Sequence, residues 1–264
     1  MPVTETTICK ICGGAAPVFT CVDFEKHCNK QLTEERFAGT PVTYYRCARC
    51  HFMFTPFLDD VSPAELVTRV YNEEYIKFDP LYPVIRPRMN AGFLRAIVDE
   101  AWRSPAPLRI LDYGAGNGML AELLDGAPPV ANYDALNPRF DRLPDGRFDL
   151  LFCSEVVEHI PDPHSLMADW DRLLNEQGAV IFSTMTQPDD IASLRGDWWY
   201  LGPRNGHVSL YSRYSLDLLC QQHGLSYVPI DAQWHLAARD PERIVDLARL
   251  RTVVDRMPKG FIEV

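Results

Sequence analysis

An α/β fold, a parallel sheet with helices on both faces behind a small cysteine-rich module, is predicted by three features of the 264-residue chain. Short apolar runs alternate with helical patterns from Leu108 to about Asp231. A glycine-rich turn follows the first of those runs. Two CxxC pairs stand within the first 50 residues.

Taken in order, Leu108–Leu111 is a short apolar run that ends in Asp112 and the glycine turn, and Met119–Leu124 continues as a helix. Val130–Tyr133 reads as a second strand ending at Asp134. Leu150–Cys153 and Val180–Ser183 are apolar runs bounded by polar turns, the pattern of strands buried on both faces. Between them Asp162 suits a helix N-cap, Pro163 its first turn and Gly178 the position after its end, with Leu166, Trp170, Leu173 and Leu174 on one face. Upstream, Phe93, Leu94, Ile97, Val98 and Ala101 recur at helical spacing. Downstream, Pro241–Met257 reads as a terminal helix that packs through Ile244, Leu247, Ala248 and Val254. The expected divisions are residues 1–58, a helical linker 59–107 rich in Tyr, Arg and Pro, the sheet domain 108–240, and a C-terminal helix 241–264. Ligands of such sheets bind at the carboxyl ends of the strands.

A net charge of −10 argues against nucleic acid, which needs a basic surface to release its counterions, and leaves small molecules as the expected substrates. Arg86 and Arg88 read as a solvated helix end. No apolar run is long enough for a bilayer, and Met1–Thr7 lacks the features of a signal peptide. The expectation is a cytoplasmic protein with no membrane partner; the sequence says nothing about oligomeric state.

Cys9-x-x-Cys12 and Cys47-x-x-Cys50 supply four thiolates, enough to close a tetrahedral zinc site with no open position, so the expected metal is structural. Without an export signal, paired knuckles read as metal ligands before disulfides, and nothing nearby suggests the helix N-terminus of a redox CxxC. His51 is not needed, because four sulfurs fill the coordination sphere; Cys21, His27 and Cys28 read first as solvated or packed residues, with substitution as ligands the alternative. Tyr44, Tyr45, Phe52 and Phe54 are expected to pack inward or to line a pocket wall.

The segment from Leu111 to Gly118 carries the strongest chemical signal. A glycine turn opening a helix can hold a dinucleotide or an adenosyl ligand, but this one reads D-x-G-x-G-x-G, with an acid ahead of the first glycine. An acid at Asp112 suits a cationic ligand, and Asp134 at the end of the next strand suits ribose hydroxyls. The loop resembles motif I of class I S-adenosylmethionine-dependent methyltransferases. Phe148–Pro163, with Glu155-Val156-Val157-Glu158-His159-Ile160-Pro161, resembles the fourth strand and following loop of the small-molecule members. The resemblance implies a Rossmann-like methyltransferase sheet and S-adenosylmethionine held by Asp112, Gly114, Ala115, Gly116, Asn117, Gly118, Asp134, Ser154 and Glu155. Only Ala135–Gly146 separates the two blocks, so the third strand of many relatives is abbreviated or absent here, with Asp141 the nearest acid for the adenine side.

Trp198–Ser212 follows the last parallel strand and is dense in aromatic and polar residues, as substrate loops are. Its end resembles the "HEHLSYFS" segment of sugar C-methyltransferases that also carry an N-terminal zinc domain. That match puts His207 in the place of their catalytic histidine, with Gly206 where they have glutamate. His207 is therefore the first candidate for general base, with Tyr200 and His159 as further catalytic candidates. Tyr75, Trp199, Arg204 and Asn205 are candidates for the substrate, and Tyr71, Tyr75 and Tyr82 for a lid. The implied activity is methyl transfer to a sugar or another natural-product intermediate. The alternatives are a catalytically silent cofactor-binding module docked on a biosynthetic partner, or a protein or RNA methyltransferase with a basic cleft at Arg86, Arg88 and Arg204.

Overall fold

The computed structural model describes residues 5–29, 32, 39–103, 108–124 and 128–258. Met1–Thr4 of the N-terminal stretch and the last residues of the 241–264 division lie outside these. Two sheets organise the rest. The first is antiparallel, in the order β1 (Thr6–Ile8), β2 (Ala15–Asp23), β3 (Pro41–Arg46), β4 (Met53–Phe54), β9 (Ser209–Leu210). The second has six strands in the order β10 (Ser226–Pro229), β11 (Trp234–Ala238), β8 (Leu174–Ser183), β7 (Phe148–Ser154), β5 (Ile110–Tyr113), β6 (Val130–Tyr133). Strands β5, β6, β7 and β8 are parallel, and the β10–β11 hairpin closes the far edge antiparallel to β8.

Strand periodicity explains the two-sided core. Ile110, Leu150, Phe152 and Ile181 face one side, where they pack against Phe93 and Leu94 of α3 (Ile85–Ala96), the following turn Ile97–Ala101, and Leu250 and Val253 of α9 (Leu247–Asp255). Their neighbours Leu111, Leu151, Val180 and Phe182 face the other, against Leu166 and Trp170 of α5 (Pro163–Leu173) and Leu216 and Leu219 of α7 (Arg213–Gln222). This is the Rossmann-like sheet with helices on both faces. Short helices α1 (Pro63–Arg69), α2 (Tyr75–Phe78), α4 (Met119–Leu123), α6 (Ile191–Leu194) and α8 (Pro241–Ile244) fill the connections.

Two local expectations change and a third holds. Asp162 caps α5 as expected, but the helix stops at Leu173 and Gly178 lies inside β8, where the carbonyls of Phe148 and Asp149 would stand 3.0 Å from an added Cβ. The terminal helix is two helices, broken at Val245, which makes a strand-like pair with Trp102. Residues 135–147 hold no strand, so β6 is the sheet edge, and Asp141 is exposed there.

The cysteine-rich region is joined to the sheet domain rather than set beside it. Its sheet is completed by β9, from the segment that carries His207. The first knuckle docks through Lys10 on Asp59 and the Pro161 carbonyl, and through the Ile11 carbonyl, which accepts from Gln222.

Candidate active site and metal centre

The glycine loop leaves the carboxyl end of the central strand β5. Gly114 has φ of 89°, and a Cβ there would come within 2.2 Å of a Val156 methyl, so only glycine fits. The loop's donors are used internally. Gly114 and Ala115 donate to the Tyr133 carbonyl at 2.8 and 2.9 Å, Gly116 to Asp134 at 2.8 Å, Gly118 to the Ala115 carbonyl and Met119 to Asn117. A pyrophosphate needs such N–H groups free; these are not. Behind the loop, Asp112 is buried and its carboxylate accepts no hydrogen bond from the described residues. Burial, and then the nearby Asp134, push its pKa up to about 7. Asp134 accepts from Gly116 and Leu136, one bond on each oxygen, which leaves each oxygen a further lone pair. An unpartnered buried acid without anion donors around it fits a cation. This is the fit expected for a sulfonium and an α-ammonium, with the ribose at Asp134.

The linker covers this end. The Tyr82 ring stands 3.4 Å from where a Gly116 Cβ would be, and Asn117 donates to the Pro83 carbonyl. Phe140 lies against Gly118, a contact nothing in the sequence signalled.

A cleft opens beside it, lined by Cys28, Asn29, Tyr75, Phe78, Asp79, Arg86, Glu155, His159, Asn205 and His207. Glu155 leaves β7 with φ of 56°, a strained value for a residue with a side chain. Its oxygens accept from Ser183 at 2.7 Å and Tyr200 at 3.3 Å. Ser154 reaches only the Ser183 hydroxyl, 3.2 Å away. His207 is buried, with Nδ1 2.8 Å from the Tyr200 carbonyl; a carbonyl only accepts, so Nδ1 carries the proton and Nε2 the lone pair. Burial, then the neighbouring His159, lower the His207 pKa well below the usual imidazole value, and burial lowers that of His159 to about 4, so both rings are neutral at pH 7. Tyr200 is fully buried behind the cleft, its ring centroid 4.4 Å from that of His207.

Of the predicted residues, Tyr75, Glu155, His159, Asn205 and His207 meet in this cleft. Arg204 and Trp199 do not line it. Arg204 donates to the Val70 carbonyl and Asn72 and stacks over Phe78 at 4.2 Å, so it ties the linker to the turn Pro203–Asn205. Trp199 packs edge-on against Tyr200. Arg86 is not a solvated helix end: its side chain is 11% exposed and forms a two-point pair with Asp79 at 2.7 and 2.9 Å. With Arg86 and Arg204 both paired, the basic cleft an RNA methyltransferase would show is not formed by them. Of the two readings of Cys28, the packed one holds: it is buried, with its Sγ 3.6 Å from His207 Nδ1. Cys28, Asn29, Phe78 and Asp79 carry no motif and reach the cleft only through the tertiary fold.

The four knuckle cysteines converge, their sulfurs all within 4.8 Å of one another, with Cys9–Cys50 at 3.6 Å and Cys12–Cys47 at 3.4 Å. Tetrahedral zinc with bonds of about 2.3 Å sets sulfurs about 3.8 Å apart. Cys47 Sγ accepts from the N–H groups of Arg49 and Cys50, which stabilises a thiolate. Contact with Cys50 lowers the Cys9 thiol to about 5 and raises Cys50, because sulfurs this close resist ionising together without a cation among them. The donor set fits a tetrahedral thiophilic ion. Tyr45, Phe52 and Phe54 pack inward beside it, whereas the Tyr44 hydroxyl donates to the His207 carbonyl at 2.7 Å.

A family model described as "Methyltransferase domain" matches residues 86–230. The chain belongs to this methyltransferase-domain family. Its curated relatives include the ubiquinone biosynthesis O-methyltransferase of Acinetobacter baumannii, 25% identical over 156 residues, which cover 49% of this chain and 63% of that protein. The namesake from Cereibacter sphaeroides is 27% identical over 225 residues, covering 69% and 91%. Among solved structures, the 1,6-didemethyltoxoflavin-N1-methyltransferase of Burkholderia thailandensis, with S-adenosylhomocysteine bound, aligns at 17% identity and a TM-score of 0.46 over 74% of this chain and 93% of that one. The chain thus spans under two thirds of the Acinetobacter relative, and the family match begins at Arg86, beyond the cysteine region. Among the described residues no helix is long and apolar enough to cross a membrane.

Proposed function

We propose that this protein transfers a methyl group from S-adenosylmethionine to a small-molecule acceptor, a sugar or related natural-product intermediate. The observation that carries the reading is the buried, unpartnered Asp112 beside a glycine loop in which the N–H groups of Gly114, Ala115, Gly116 and Gly118 are already used. Such a site favours a sulfonium over a pyrophosphate. S-adenosylmethionine supplies an activated methyl on a good leaving group; Asp112 faces its positive end, Asp134 its ribose, and Tyr82 covers it. Glu155 lines the cleft and in this reading reaches the cofactor as well. The mixture of amide, carboxylate, imidazole and aromatic groups in the cleft suits a polyhydroxylated acceptor. His207, neutral and with Nε2 unprotonated, takes the acceptor's proton as the new bond to carbon forms. Tyr75 and Asn205 hold the acceptor, and Arg204 keeps their loop in place. Zinc held by Cys9, Cys12, Cys47 and Cys50 is structural in this reading and fixes the sheet that backs His207.

The test is a mass-spectrometric screen of nucleotide-linked sugars and related keto intermediates with the protein and S-adenosylmethionine. The expected result is a product heavier by one methylene. Product from none of them, with the cofactor bound, would favour the silent binding module.

A further inference from the structure

Relatives of the "HEHLSYFS" type place a glutamate next to their histidine, and this chain has Gly206 there. The fold shows why a larger residue is excluded. Gly206 has φ of 88°, and a Cβ would stand 2.8 Å from the Tyr71 hydroxyl and 3.2 Å from His159 Nδ1. The space that a side chain at 206 would need is filled by Tyr71 and His159, which lie 3.0 Å apart.

A carboxylate reaches the same place from another element. Glu158, in the turn after β7, is fully buried, with Oε1 3.7 Å from His159 Nε2 and Oε2 without a partner. One ring nitrogen each of His159 and His207 and an oxygen of Glu158 all lie within 4.8 Å of one another. The Gly206 carbonyl, 3.2 Å from His159 Nδ1, fixes the proton there, as the Tyr200 carbonyl does for His207. The Nε2 atoms of both rings therefore carry lone pairs. Glu158 continues inward to the Tyr200 hydroxyl at 2.8 Å, and that hydroxyl lies 3.3 Å from Glu155.

Resting on the methyl-transfer reading, we propose that Glu158 is the relay and positioning residue behind the His207 base, standing in for the glutamate missing at position 206. At rest Glu158 holds a proton and donates it to the Tyr200 oxygen, while the Tyr200 hydroxyl donates to ionised Glu155. Burial raises the pKa of both acids, but Arg86 and the Ser183 hydroxyl hold Glu155 towards its charged form, whereas the charge of Glu155 pushes Glu158 further up, so the proton belongs on Glu158. When the acceptor attacks the methyl carbon, the carbon–sulfur bond breaks and the acceptor's proton passes to His207. Glu158 then gives its proton to the Tyr200 oxygen, and Tyr200 passes its own to Glu155. The imidazolium now faces the Glu158 carboxylate, and the sulfonium charge lost from the cofactor balances the charge gained on the ring. The other groups facing this cluster are Cys28, Lys26, Arg86, Asp79, Tyr71 and Thr184.

The experiment is a nitrogen-15 NMR titration of the histidine rings from pH 8 to 4 in the full chain, zinc-loaded and saturated with S-adenosylhomocysteine, in wild type and Glu158→Gln. Glu158→Gln is expected to bind S-adenosylhomocysteine within about twofold of wild type. Its His159–His207 pair should take up its first proton at least one pH unit lower, or not at all above pH 4 where wild type has begun to. Tyr200→Phe, which breaks the bridge and keeps the ring, should move the same midpoint in the same direction by less, and decides the matter if Glu158→Gln does not fold. Ring titrations that coincide down to pH 4 overturn the proposal. Wild type that does not bind S-adenosylhomocysteine sinks the methyl-transfer reading itself, a separate failure.

Discussion

In the proposed reading the cofactor end and the acceptor end of the site are built in opposite ways. The first comes from one short stretch, Asp112–Gly118, with Asp134 from the adjacent strand. The second is assembled from four distant segments: Cys28 and Asn29, Tyr75–Arg86, Glu155–His159 and Tyr200–His207. A ligand common to a family can be gripped by local backbone geometry, whereas an acceptor particular to one protein is met by side chains that only tertiary packing brings together. The acceptor end is also the only one backed by the cysteine-bearing sheet, through β9 and the Tyr44 hydroxyl on the His207 carbonyl.

If this contrast holds, damage to each end should separate cofactor affinity from turnover. The largest effect is expected at Gly114→Ala, where a Cβ 2.2 Å from Val156 and a left-handed backbone close the loop. S-adenosylhomocysteine affinity should fall about 100-fold or more by calorimetry. Next, His207→Ala should lower kcat by about 10²–10⁴ with the cofactor Kd nearly unchanged; equal losses in both would erase the distinction between the ends. Metal analysis of wild type is expected to give one zinc per chain; Cys47→Ser should remove it and lower the thermal midpoint by roughly 10 °C, because the sheet behind His207 loses its closure.

A pH effect sharpens the cofactor end. Asp112 has its folded pKa raised from 3.8 to about 7. Its uncharged form therefore favours the folded ligand-free state, a contribution present below about pH 4 and lost as pH rises through 7. A cationic cofactor needs the charged form, so S-adenosylmethionine affinity should rise about tenfold between pH 6 and 8. Asp112→Asn should flatten both the stability slope and the affinity slope. The smallest effect is expected at Tyr44→Phe, which removes one buried hydrogen bond and should cost about 1 kcal/mol in denaturant unfolding with cofactor affinity intact.

The same contrast explains what was legible in the sequence. Strand starts and glycine turns follow from local pattern, and β6 spans Val130–Tyr133 as the apolar run suggested. The convergence of the four knuckle cysteines was legible too, because two knuckles need only their own turns. Misreadings came where a distant partner decides. Gly178 resembles a helix stop until β7 runs alongside it, and Val245 resembles helix interior until it pairs with Trp102. Arg86 resembles a surface charge until Asp79, seven residues earlier, folds back to neutralise it. Arg204 looks like a substrate-binding residue because sequence does not reveal that the Val70 carbonyl and Asn72 meet its guanidinium.

Calorimetry of the purified chain with S-adenosylhomocysteine and, separately, with NAD tests the central claim most directly. One S-adenosylhomocysteine bound per chain, abolished in Gly114→Ala, with no heat from NAD, is the predicted result. Binding of the dinucleotide in preference to the adenosyl compound, or uptake of neither, would contradict it.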